Sequence, residues 1–149
     1  MAIDPSFAGR VYPPTDPYEV CREKIREFAD AIGDENPISH DPAAAQSLGY
    51  QDVVAPLTFA IVVTQRAARQ VVADPALGLD YSRVVHGEQR FVYDRPIVAG
   101  DRLQSTVTVE SVRVAAGNDL LTTRVDVIDD DGEQVLTAYA TLVARGTAS

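Results

Sequence analysis

The sequence predicts an α+β domain in which an antiparallel sheet wraps one buried helix, and three observations carry that expectation. Apolar residues recur at helical spacing through the first third of the 149-residue chain. The stretch 56–72 is apolar almost all round. Beyond residue 84 the period falls to two and Val, Thr and Leu dominate.

Taken in order, the first helix is expected to start at Asp16, which can cap, with Pro17 at the first helical position and Glu19 completing a capping box. Cys21, Ile25, Phe28, Ala29 and Ile32 then form its apolar stripe, Cys21 as a small buried hydrophobe. Gly33 stops the helix, so Asp34 emerges into a loop. A short second helix is expected over 42–48, capped by Asp41 and closed by Gly49. Pro56 opens a third, running to about residue 72; with so few polar positions it is buried rather than laid on a surface. Residues 74–80 read as loop. Four strands follow at 84–93, 102–114, 120–129 and 134–145. Ala116-Gly117-Asn118 and Asp131-Gly132 supply the later turns. Helices followed by an antiparallel meander give one α+β domain over 1–149, with an exposed sheet edge that a dimer would cover.

Composition narrows the function. No run approaches 18 uncharged apolar residues, so no transmembrane helix is expected. Residues 1–10 include Asp4 and lack a basic-then-apolar signal pattern. The one cysteine cannot form an internal disulfide, which suits a reducing cytoplasm. A net charge of −9 argues against nucleic acid, whose phosphates would be repelled. Asp126, Asp129, Asp130 and Asp131 crowd a hairpin tip without the Gly and Glu spacing of a calcium loop, so no metal site is expected.

The chemistry concentrates in Gly33-Asp34-Glu35-Asn36-Pro37-Ile38-Ser39-His40-Asp41, followed by Val53-Val54-Ala55-Pro56-Leu57-Thr58-Phe59. A carboxylate, an amide and one of the two histidines meet on a loop rich in turn formers. Such a pair is equipment for moving protons. The order Gly-Asp-x-Asn-Pro-Ile resembles the signature of the MaoC-like (R)-specific enoyl hydratases and hydroxyacyl dehydratases. The likeness extends over 7–145, with Gly9-Arg10-Val11-Tyr12 and Pro96-Ile97-Val98-Ala99-Gly100-Asp101.

That resemblance implies a hot-dog fold and an acyl thioester substrate, on coenzyme A or an acyl carrier protein (ACP), with no cofactor. It implies catalytic positions at Asp34, Asn36 and His40 and oxyanion contacts at Leu57 and Thr58. His86, at the start of a strand expected to run beside the central helix, reads as a partly buried structural histidine or else as facing the acyl pocket or a partner subunit. The family's catalytic histidine, however, falls five residues after the aspartate, which here is Ser39. Its Ala-His-Gly segment is matched by Ala55-Pro56-Leu57. These departures, with His40-Asp41 and Ala-Pro-x-Thr-Phe, are closer to a sub-branch of actinobacterial subunits. Those subunits pair with a separate MaoC-like catalytic chain in heteromeric hydroxyacyl-ACP dehydratases.

The resemblance therefore implies a (3R)-hydroxyacyl thioester dehydratase component in fatty-acid-type metabolism, a hydro-lyase subunit that binds the acyl chain for a catalytic partner. The alternatives are a self-sufficient homodimeric hydratase using a displaced His40 and a non-catalytic acyl-binding module. An acidic thioester carrier would need a local basic patch, for which Arg66, Arg69, Arg83, Arg90 and Arg95 are the candidates.

Overall fold

The first helix begins five residues later than its local signals suggest. In the computed structural model, which describes residues 3–147, Tyr18–Glu19 form a short strand, β1. Tyr18 pairs with Leu103 and Glu19 with Arg102, and the Val20 N–H bonds to the Asp101 carbonyl at 2.8 Å. Pairing with a distant strand satisfies this backbone better than the Asp16 cap could. The helix α1 runs over Arg22–Ile32 with Cys21 as its cap residue. Cys21 is exposed, which corrects its expected burial, because it stands before the first turn instead of on the inner stripe. Ile25 and Ala29 are buried and Ile32 is exposed. Gly33 ends the helix in the left-handed region at φ 71°, a conformation open to a residue without Cβ.

The second helix, α2, spans Pro42–Ser47 and is capped by the Asp41 carboxylate, as expected. The third opens as a 3-10 turn, Leu57–Phe59, and continues as α3 over Ala60–Ala73. Its burial is one-sided. Ala60, Val63, Ala67 and Val71 are fully covered, whereas Val62 is half-buried and Gln65, Arg66 and Arg69 are exposed. The segment expected to be loop holds short 3-10 turns at Pro75–Leu77 and Tyr81–Arg83, and Leu77 inserts into the core.

The strands β2 (Val84–Tyr93), β3 (Arg102–Ala115), β4 (Asn118–Ile128) and β5 (Gln134–Ala144) lie close to their expected positions. The sheet is antiparallel with order β1-β3-β4-β5-β2. The meander thus covers only β3 to β5. After β2 the chain crosses to the far side of β5, held by Asp94 N–H to the Val135 carbonyl at 2.9 Å and by Arg95, which bonds Asp101 and Asp129. Along β4 burial alternates residue by residue, and the inward Leu121, Val125 and Val127 join Leu103, Val107 and the buried face of α3 in one core. The sheet curls round α3, which is the hot-dog arrangement.

Candidate functional site

Two nested turns shape the motif loop. The Asp34 carboxylate accepts the Asn36 N–H at 3.0 Å, and the Asn36 side-chain oxygen accepts the Ile38 N–H at 3.2 Å. Asp and Asn do this because their short side chains mimic a backbone turn. Pro37–Ser39 then form one 3-10 turn. Ser39 is buried, and its hydroxyl donates to the Val54 carbonyl at 2.6 Å. The Val54 N–H returns a bond to the Ile38 carbonyl at 2.8 Å. His40 is half-buried. Its Nε2 lies 2.7 Å from the main-chain carbonyl oxygen of Asp34, and its Nδ1 lies 3.8 Å from the Asp30 carboxylate. The imidazole therefore engages the backbone of Asp34, while the Asp34 carboxylate is occupied by Asn36.

Val54 links this loop to the opening of α3. Val53, Val54, Ala55 and Pro56 are buried, and Ala55 N–H bonds to Ile97 O while Ala99 N–H bonds to Val53 O. Arg22 grips Asp52 with two nitrogens, which fixes the approach to Val53. Leu57 and Thr58 emerge exposed. Their N–H groups head the helix, where intrahelical partners are lacking and the dipole favours negative charge.

The hydroxyl of Tyr93, at the end of β2, donates to the Leu57 carbonyl, and that of Tyr12 donates to Asp74, the cap residue after α3. Burial pushes the Tyr93 phenol to about 12; burial and then the Asp74 contact do the same for Tyr12. A phenol whose folded pKa is raised contributes stability that is complete below the unfolded value near 10 and lost as pH climbs through the folded value. Denaturation midpoints are expected to fall between about pH 10 and 12. The double Tyr12→Phe, Tyr93→Phe protein should show a flatter decline; an equal slope would count against this assignment.

Away from the loop, a groove of about 560 Å³ opens between α3 and the inner faces of β2, β4 and β5. Ala68, Ala138 and Ala140 leave the room for it, and Ile61, Val125 and Leu142 give it apolar walls. Of the residues expected at the site, His86 lines this groove; Asp34, Asn36, His40, Leu57 and Thr58 lie outside it. The small residues at inward β5 positions were the one sequence signal for the groove. Arg69 also borders it. Among the five candidate arginines, Arg83 bonds the Gly146 carbonyl and lies near Asp80, and Arg95 is held by two carboxylates. Arg66 lies over the Tyr18 ring and Arg90 over Tyr139.

The Asp129 carboxylate is taken by the N–H groups of Asp131 and Glu133 within the hairpin, and among the described residues no cluster of His, Cys, Asp or Glu is placed to hold a metal ion. Nor is any described helix long and apolar enough to cross a membrane.

Against known proteins, residues 6–138 match the family model described as FAS1-like, dehydratase domain region. A UPF0336 protein of Streptomyces avermitilis is 63% identical over 145 residues, covering 97% of each chain. Among solved structures, one titled MaoC-like dehydratase superposes with a TM-score of 0.89 at 39% identity, covering 95% of this chain; the present chain spans 43% of that longer one. A C-terminally truncated HadBC (3R-hydroxyacyl-ACP dehydratase) complex from Mycobacterium tuberculosis gives a TM-score of 0.78 at 38% identity, covering 92% of this chain and 96% of that one.

Proposed function

The chain belongs to the FAS1-like dehydratase family of MaoC-like hot-dog domains, and from that premise we propose that it is one component of a (3R)-hydroxyacyl thioester dehydratase. In this reading it contributes the acyl-binding groove, and a MaoC-like hot-dog partner contributes the carboxylate and imidazole. Ser39 carries the proposal. It stands where the family's imidazole would stand, it is buried, and its hydroxyl is committed to the Val54 carbonyl. A serine hydroxyl, with a pKa far above neutrality, cannot take or give the proton at a useful rate.

The geometry of β2 supports the partnership. Tyr93 ties one end of β2 to the opening of α3, and His86, near the other end, lines the groove. An antiparallel strand laid on the free edge of β2 would carry its own helix opening to the His86 end. Val85 and Val92 on β2 are 40% and 46% exposed, apolar surface that such a docking would cover.

In the reaction, a base takes the C2 proton of the 3-hydroxyacyl thioester and an acid protonates the C3 hydroxyl. Water leaves, the C2–C3 double bond forms, and N–H groups at a helix opening hold the charge that develops on the thioester oxygen. This chain's share is to keep the acyl tail out of water. Arg66 and Arg69, which have no carboxylate partner among the described residues, suit an acidic carrier, either ACP or coenzyme A. A cytoplasmic setting, with the exposed Cys21 kept as a thiol, belongs to the same reading.

The test is reconstitution. The chain is expected to co-purify in fixed ratio with a MaoC-like chain bearing an intact Asp-x-Asn-Pro-x-His motif, and the pair should hydrate crotonyl thioesters while this chain alone does so barely. Turnover by the isolated chain at the rate of the pair would replace the proposal with the self-sufficient homodimer.

A further inference from the structure

His86 and Gln89 both line the groove, yet they stand three residues apart on β2. A regular strand would send them to opposite faces, because its side chains alternate. The pairing of β2 with β5 slips between His86 and Glu88, a bulge at Gly87 that puts both side chains on the groove, His86 exposed and Gln89 half-buried. Glycine is suited to that spot: a Cβ there would lie 3.1 Å from a Val143 methyl and 3.4 Å from the Thr141 carbonyl oxygen. Bulges re-aim side chains in this way and are over-represented beside active sites.

The two side chains offer complementary chemistry. Gln89 spends its amide N–H on the Tyr139 carbonyl at 3.2 Å, which leaves its side-chain oxygen to accept. Among the described residues the imidazole with a hydrogen bond or ion pair is that of His40; His86 has neither, so its ring can donate. A wall with one acceptor and one donor fits a hydroxyl, which both donates and accepts. The Gln89 oxygen would repel a carbonyl or carboxylate placed against it.

Building on the acyl-groove reading above, we infer that His86 and Gln89 form a subsite that recognises the hydroxyl of a hydroxyacyl chain. The His86 N–H donates to the hydroxyl oxygen, and the Gln89 oxygen accepts the hydroxyl hydrogen. Both are specificity residues, and the bulge at Gly87 is what places them on the same groove.

Calorimetric titration of the purified chain with 3-hydroxydecanoyl-CoA and decanoyl-CoA tests this. The hydroxylated ligand is expected to bind about 5–100-fold tighter, the worth of two net hydrogen bonds. His86→Ala should cut the preference to that of the one remaining hydrogen bond, about 2–10-fold. His86→Gln, which keeps an N–H donor, should retain more of it, and Gly87→Val, driven against Val143, should lose it. Equal affinities in the native chain, or a preference undiminished in His86→Ala, would overturn the subsite and leave the groove reading standing. Failure of both ligands to bind, with the chain alone and in its assembled complex, would overturn the groove reading as well.

Discussion

Asp34→Ala or His40→Ala in this chain is expected to change the rate of the assembled dehydratase little, whereas removing the partner's motif histidine should cost about 10²–10⁴-fold, the usual contribution of a positioned acid or base. The asymmetry follows from where the groups sit. The Asp34 carboxylate holds the Asn36 N–H, and the His40 ring leans on the Asp34 main-chain carbonyl, so both side chains serve the shape of the loop. Ser39→Ala gives the contrasting signature. It strips the donor from the buried Val54 carbonyl and should lower stability by about 1–3 kcal/mol while leaving the rate constant unchanged. Kinetics of the reconstituted pair, read beside urea midpoints, separate the two effects. Should a homodimer of this chain turn over and His40→Ala slow it by two orders of magnitude or more, the silent-subunit assignment would be lost and the dehydratase family would stand.

Phe59→Ala should be the most damaging single change to the fold. Phe59 is fully buried and meets Phe28 of α1 edge to face, with ring centroids 5.4 Å apart and planes at 82°. Truncation removes that contact and opens a cavity where α1, the head of α3 and the sheet converge. Such losses cost about 3–5 kcal/mol, a large part of the 5–15 kcal/mol that holds a typical domain together. A melting point lowered by roughly 10 °C is expected, since each kcal/mol is worth a few degrees at this size. Scanning calorimetry would check it, and a drop of only a degree or two would mean that the head of α3 repacks freely.

Much of the fold was legible because its signals are local. Asp41 caps α2, Gly33 ends α1, and the alternation of Val and Thr marks the strands with little need of the rest of the chain. The misplaced start of α1 has the opposite cause. Asp16-Pro17 is a sound cap in isolation, but Tyr18 and Glu19 find partners on β3 more than eighty residues away, and no local rule registers that. The far-edge position of β2 and the half-open flank of α3 are likewise products of tertiary pairing. At the site, the turn-forming roles of Asp34 and Asn36 follow from residue type. The acceptor that claims His40 and the bulge that puts His86 on the groove do not, since each depends on backbone brought close by folding.

The free edge of β2 has a consequence for how much enzyme a given amount of protein can make. A row of unpaired N–H and C=O groups accepts any suitable antiparallel strand, so under the proposed assembly two occupants compete for it: the catalytic partner and a second copy of this chain. Glu88 and Arg90 stand two residues apart on that edge, and a copy paired symmetrically about Gln89 would set each beside its opposite charge. Self-association would then act as a reservoir from which the partner must draw. The yield of active pairs would then follow the ratio of the two chains, and overproducing this one alone would lengthen the queue for the edge without adding a catalytic site.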